Sequence, residues 1–486
     1  MTTFLAPNKH LKGVKTSEII MKQLQEKLKK NSNEIADIGI TNDSLTGRGG
    51  LTFILRYLKK INIIPKVCEV FNGVRKSRKG RDIEKIINQL MFYFMDGSKQ
   101  TMTRFDELSD NEGYRKSIET AKKDMCSSHT MKRFFNSVEK SMFKKLQSLM
   151  LELFIWRLKI EKPKVVILGI DTMVLDNNDA KKREGVSPTY KKVNGYHPLH
   201  IYWKSYVVNM AFHQGSEAPN HDNDLFDSIK ATVSIIRKRY NRKVQIIVVS
   251  DCGFSDQKYF NFMDSLKAYF ICGTKILDSI KLKLMLTLQR EWNKFEYHIE
   301  ERNYHNTIEY LDFRDKRGNW KKDYRAIYMK QADIDGELHL EFDRPETLIY
   351  TNLEIKDGRK KISFRKYLEP EQIIRLYRMR AKDELVNRGL KEFSDETLPF
   401  KRFDSNGVYY YLSLISYDLL TAFQTDVLSP IIPVCSYPDT VRRLFIDIAG
   451  KIVKSGGKII IKFREEVIKQ LNLFELWKKC ASASPV

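Results

Sequence analysis

The chain has 486 residues, with 85 Lys and Arg against 61 Asp and Glu, a net charge of +24 and an isoelectric point near 9.5. That length exceeds one ordinary hydrophobic core, 42% hydrophobic residues suffice for packed globular domains, and no apolar run reaches the ~18–20 residues of a membrane span. The basic excess points to a polyanionic partner, bound through counterion release.

Residues 1 to about 155 read as helical, beginning without a signal-peptide apolar stretch. The run 83–94 is apolar at helical spacing. It follows the cationic loop Arg75-Lys76-Ser77-Arg78-Lys79-Gly80-Arg81, in which Arg75 and Arg78 are candidates for DNA phosphate contact, a solvated loop being the plain alternative. Ser127 or Ser128 is placed to cap a helix carrying Lys132 and Arg133, a pattern compatible with a helix-turn-helix reader. An amphipathic helix is expected over 140–158.

The texture changes at Pro163. Residues 164–170 form a short apolar run rich in β-branched residues, a buried strand that stops at Asp171-Thr172. A hairpin is expected from 196–202 and 206–212, a helix over 225–240, a second buried strand over 244–249 ending at Ser250-Asp251-Cys252-Gly253-Phe254, then a helix to about 266 and a strand at 269–272. From 276 to 365 short alternating stretches at 324–329, 338–342 and 347–351, separated by turn signals, predict a β-rich insertion. The stretch Tyr377-x2-Arg380-x3-Glu384-x6-Lys391 follows. On one α-helix these four side chains fall within an arc of roughly 60°, although Gly389 weakens the helix before Lys391.

Asp171 and Asp251 each follow a buried strand, and the carboxyl ends of sheet strands are where sites assemble. With Glu384 from a helix packed on the sheet they would make an all-oxygen cage suited to Mg²⁺ or Mn²⁺. Two such ions can activate water and stabilise the leaving oxygen of a phosphoryl displacement. The plain alternatives are turn-capping aspartates and a surface ion pair at Glu384. His197, His200, His213 and His221 are too irregular for a ligand pattern and read as structural, His213 or His221 being the two that could touch phosphate. The six cysteines are scattered and read as thiols of a reducing compartment. P-loop, Rossmann, zincin and nucleophile-elbow motifs are absent.

Taken together, these residues resemble a family: the DDE transposases of bacterial and archaeal insertion sequences, in the branch with the Tyr-x2-Arg-x3-Glu-x6-Lys signature. Gly169-Ile170-Asp171-Thr172 resembles the first-Asp strand, Gly195-Tyr196-His197-Pro198-Leu199 the next strand, Ser250-Asp251-Cys252-Gly253-Phe254 the second-Asp motif, and Thr351-Asn352-Leu353 the return to the core. Thr440-Val441-Arg442-Arg443-Leu444 and 417–420 are similar to the family's C-terminal helices. The resemblance implies an α/β fold with an RNase H-like mixed sheet, flanking helices, a β-rich insertion and an N-terminal helical DNA-binding region. The expected segments are 1–155, 160–275, 276–365, 366–425 and 426–486, the last helical. It implies a cut-and-paste enzyme in which Asp171, Asp251 and Glu384 hold two Mg²⁺ (or Mn²⁺). Tyr377, Arg380 and Lys391 contact phosphates of the transposon end, and Trp320, or Trp292, stacks on a flipped base. The partners implied are double-stranded DNA, as terminal inverted repeats and target, and a second copy of the chain, in the cytoplasm of a prokaryote at the nucleoid. A transposase-derived DNA-binding protein that no longer cuts, or a metal-dependent nuclease on a similar core, are the rival readings. Asp383, beside Glu384, is expected to face away from the site.

Overall fold

Strand β1 (Val165–Thr172) alternates: Val166, Leu168 and Ile170 are buried on one face, while Val165, Ile167, Gly169 and Asp171 line the other. The structure, a computed structural model, describes residues 20–23, 37–74, 80–97, 100–217, 223–299, 304–318, 320–331, 346–354 and 362–486. It divides into two compact units, Met1–Asp43 and Ser44–Val486, and β1 belongs to the second.

Eight further strands join β1 in one sheet: β2 (Leu199–Trp203), β3 (Tyr206–Ala211), β4 (Gln245–Ser250), β5 (Tyr269–Thr274), β6 (Asn293–Ile299), β7 (Tyr304–Asp315), β8 (Tyr324–Gln331) and β9 (Thr347–Thr351). Their order is β6-β7-β8-β9-β5-β4-β1-β2-β3. The pairs β1/β4 and β4/β5 are parallel and all others antiparallel. The β2–β3 hairpin turns through Lys204, at φ 56°. Both faces of β4 and β5 are covered, so these strands are apolar almost throughout, as buried parallel strands must be. Ile246 and Val248 of β4 enter the larger core, whereas Ile247 and Val249 enter a second one with Ile271, Ile308, Ile327 and Ile349.

The longer helices are α1 (Leu51–Ile61), α2 (Ile83–Met95), α3 (Ser128–Asn136), α4 (Met142–Glu161), α5 (Asp224–Ile235), α6 (Gln257–Ser265), α7 (Asp278–Leu286), α8 (Pro370–Arg378), α9 (Ala381–Phe393), α10 (Phe403–Phe423) and α11 (Leu473–Ser482). Asp82 caps α2 by accepting from the Glu84 amide, and Ser127 caps α3 by accepting from that of Thr130. Helix α10 is buried along its whole length, which its lack of a polar face requires. Helix α8 lays Ile373, Ile374 and Leu376 into the second core, over β4, β5 and β8. Among the described residues no helix is long and apolar enough to cross a membrane.

The strand expected over 164–170, stopping at Asp171-Thr172, spans Val165–Thr172. One expectation changes. The C-terminal region is not wholly helical: Gly450–Ser455 and Lys458–Lys462 form a hairpin turned by Gly456 and Gly457 at positive φ, and Ser44–Thr46 pairs with it. The expected strand at 338–342 lies outside the described residues. The strands of 276–365 that are described add to the edge of β5 through Ile349 and Gly273, continuing the one sheet.

Candidate active site

The sheet register assembles the site. Ile170 pairs with Ser250 and Ser250 with Cys272, so the next position on each strand brings Asp171, Asp251 and Gly273 level at the carboxyl ends of three parallel strands. Neighbouring strands lie ~4.8 Å apart. On the other side Asp171 pairs with His200 and Gly169 with Tyr202.

Each aspartate is held by its own backbone turn. The Asp171 Oδ1 accepts from the Thr172 amide at 2.8 Å, and its Oδ2 from Asn387 Nδ2 at 3.4 Å. Burial raises the Asp171 pKa; the Thr172 amide and Arg380 oppose this, and Asp251 and Glu384 add to it. Asp251 accepts from the Gly253 amide at 2.8 Å, and its Oδ2 lies 4.0 Å from Arg380 Nη1. Burial works against the Arg380 charge, but Tyr377, Asp171, Asp251 and Glu384 outweigh it, so the guanidinium holds its proton more tightly than usual.

The signature spans two helices. Helix α8 ends at Arg378 and α9 begins at Ala381, and the junction keeps right-handed helical angles at Met379 and Arg380. The Arg380 amide bonds to the Tyr377 carbonyl at 3.1 Å and the Asp383 amide to the Arg380 carbonyl at 2.8 Å, both i to i−3 contacts that tighten the turn. The single helix expected is thus interrupted by a turn of i to i−3 bonds between α8 and α9. Both halves rest on glycines of the sheet. A Cβ added at Gly169 would lie 2.0 Å from Asp383 Oδ2, and one at Gly273 would lie 2.1 Å from the Tyr377 hydroxyl.

Asp383 therefore faces inward, contrary to expectation. It is 8% exposed, and its carboxylate has no hydrogen-bond or ion-pair partner among the described residues. Burial first, then Asp171, pushes its pKa up to about 7. Glu384, one position on, is exposed. Lys391 lies on α9 and bonds Glu396 at 2.7 Å.

A family model described as transposase DDE domain group 1 matches residues 31–484. The chain belongs to that family. No curated protein matches it. A piggyBac transposase, solved by cryo-EM in a synaptic complex with hairpin DNA, is similar at 14% identity, over 83% of this chain and 82% of that one, with a TM-score of 0.40.

DDE transposases generally use divalent metal ions. The donor chemistry of this transposase fits such a cation: Asp171, Asp251, Asp383 and Glu384 bring four carboxylates to one guanidinium, all hard oxygen donors with excess negative charge. No three of its described His, Cys, Asp or Glu side chains are gathered round one point that could hold an ion. Glu384 is exposed on α9 while Asp383 takes the sheet side.

The other candidates fall elsewhere. Trp320, expected to meet a flipped base, is 8% exposed and makes T-shaped ring contacts with Phe260, Tyr324 and Tyr350. Trp292 is half-buried, with Lys330 Nζ 4.5 Å from its centroid. Lys132 and Arg133 are exposed on α3, and Arg133 lines a cavity with Arg81, Lys145 and Arg402. Arg75, Arg78 and His221 lie outside the described residues. His213 bonds Asp224 at 2.9 Å. Tyr190, 62% exposed, has its phenol pKa raised by partial burial first and then by Asp171 and Asp251, with Lys391 opposing, so it lies beside the site. It lies in a loop of 189–193, where no spacing marks it.

Proposed function

We propose that this transposase moves its element by cut-and-paste, on an RNase H-like core with the order β3-β2-β1-β4-β5. The observation that carries the reading is the alignment of Asp171 and Asp251 at the ends of adjacent parallel strands, with the Asp383–Glu384 turn docked over them through Gly169. Asp171, Asp251 and Glu384 would hold divalent ions, Mg²⁺ or Mn²⁺ and two in number. A bound ion of this kind supplies Lewis-acid activation of the attacking oxygen and stabilises the leaving one.

The chain's own groups do the positioning. Arg380 is charged, partly exposed and not tightly paired, so its fork can take the phosphate nearest the cleaved bond. Tyr377 backs Arg380, whose guanidinium lies 6.0 Å from the ring centroid. Lys391 reaches DNA farther along the end once released from Glu396. Basic residues within 1–155 hold double-stranded DNA of the terminal repeats. Residues 276–365 form the insertion and 366–425 the returning core. Two copies bring two ends together, in a prokaryotic cytoplasm at the nucleoid.

The test is nicking of DNA bearing the element's terminal repeats, with Mg²⁺. Asp171→Ala, Asp251→Ala and Glu384→Ala should each lose activity on the order of 10³-fold or more while keeping end binding. Nicking that survives in well-folded Asp171→Ala or Asp251→Ala sinks the reading. Survival in Glu384→Ala with loss in Asp383→Ala moves the third ligand by one residue.

A further inference from the structure

We infer that a one-way chain of hydrogen bonds from Tyr410 through His200 and Tyr202 to Asn387 fixes the orientation of the Asp171 carboxylate, and that Asn387 is a positioning residue of the site. The inference rests on the proposal that Asp171 holds metal.

Four contacts link four elements. Tyr410 on α10 lies 3.1 Å from His200 Nε2, and His200 Nδ1 lies 2.8 Å from the Tyr202 hydroxyl, both histidine and tyrosine being on β2. Tyr202 bonds Asn387 Oδ1, and Asn387 Nδ2 reaches Asp171 Oδ2 at 3.4 Å. His200 and Tyr202 are wholly buried, and Tyr410 nearly so.

With the Asp171 carboxylate ionised, as a cation ligand is, the direction of every bond follows. An ionised carboxylate only accepts, so the amide nitrogen of Asn387 faces Asp171 and its oxygen faces Tyr202. Tyr202 has one proton and gives it to that oxygen, so it must accept from His200. Nδ1 of His200 therefore carries the ring proton, and Nε2 accepts from Tyr410. Burial, which pushes the His200 pKa down to about 3, keeps the ring neutral and this tautomer single. All four donors point toward Asp171. Each Asp171 oxygen then has one fixed donor, the Thr172 amide on Oδ1 and Asn387 on Oδ2, leaving a lone-pair site on each for a cation. Asn387 sits one turn after Glu384 on α9, so the chain also ties that helix to the first-aspartate strand.

The experiment is a Mn²⁺ titration of the full chain without DNA, read by the electron paramagnetic resonance signal of free Mn²⁺, alongside thermal unfolding. Tyr202→Phe and Asn387→Leu should weaken Mn²⁺ about tenfold or more. Nicking at limiting Mn²⁺ should fall with them and recover as Mn²⁺ is raised. Tyr411→Phe is the control: Tyr411, on the same helix α10 as Tyr410, donates its buried hydroxyl to the Met210 carbonyl of β3 at 2.8 Å, outside the chain of bonds. It should lower the melting temperature comparably yet leave Mn²⁺ affinity within about twofold, the loss of a hydroxyl being its only effect. The inference is overturned if Tyr202→Phe folds and binds Mn²⁺ as the wild type does while Asp171→Ala loses it. If Asp171→Ala itself binds as the wild type does, the ligand role of Asp171 fails and the inference with it. Should Asn387→Leu not fold, Tyr202→Phe decides alone.

Discussion

Asp383 of α9 docks on Gly169, two positions before Asp171 on β1; burial raises the proton affinity of both carboxyls, and the Asp171 charge adds to that of Asp383. His200 shows the opposite displacement. Burial holds its imidazole at about 3, below the ~6.5 of a free histidine. A group with a lowered folded pKa binds fewer protons folded than unfolded. Its stabilising contribution is present above about pH 6.5 and drains away as the pH falls toward 3. Stability to denaturant should therefore fall between pH 7 and 4 more steeply in the wild type than in His200→Gln, by up to about 1.4 kcal/mol per pH unit. The carboxylate of Asp383 contributes with the other sign, losing its stabilising effect as pH rises from about 4 to about 7. It is present in both proteins, so the difference between them isolates His200. Parallel curves would show that His200 takes a proton in the folded state as readily as in water.

The helix pair α8–α9 is set on the sheet by what two strand residues lack. At Gly169 and Gly273 any side chain would occupy the space of Asp383 and of the Tyr377 hydroxyl. Asp383 is too short to swing clear, so Gly169→Ala must lift α9 from β1 and carry Glu384 with it. The expected result is a destabilisation of about 1–3 kcal/mol and a loss of nicking larger than the loss of folded protein. The double variant Gly169→Ala/Asp383→Ala should recover most of the stability, because the clash belongs to the pair. Strictly additive unfolding energies would show that α9 is not seated through this contact. The sequence made the strands legible: β1, β4 and β5 as continuous apolar runs and β8 and β9 as alternating stretches, each beginning and ending within a few residues of its pattern. It left the helix break hidden, because Met379 and Arg380 keep helical angles and so preserve the spacing from Tyr377 to Glu384. It misplaced Asp383, because a 100° turn per residue gives the angle between two side chains without saying which of them meets the sheet. His200 looked irregular for a like reason: its two hydrogen-bonded tyrosines are 2 and 210 residues away in sequence.

At the scale of the molecule, the nine-stranded sheet separates two cores and places the carboxylates at one end of its parallel strands. A site that collects carboxylates repels DNA phosphate, so affinity must come from elsewhere on a chain whose net charge is +24. Lys132 and Arg133 are exposed, and a cavity joins Arg133 to Arg81, Lys145 and Arg402; these are the cations we propose to supply it. Phosphate contacts of that kind release counterions, and six to ten of them cost ~10³–10⁵ in affinity between ~50 and 200 mM salt. Anisotropy titrations with a duplex carrying the element's end should fall by that amount. A scrambled duplex of equal length should fall with the same slope, because backbone contacts are blind to sequence, and should stay weaker by a constant factor set by base contacts. A flat salt response would remove the basic excess from any role in holding DNA. A steeper slope for the true end than for the scrambled one would mean that recognition itself adds phosphate contacts, with the end bent or opened against the protein as it is read.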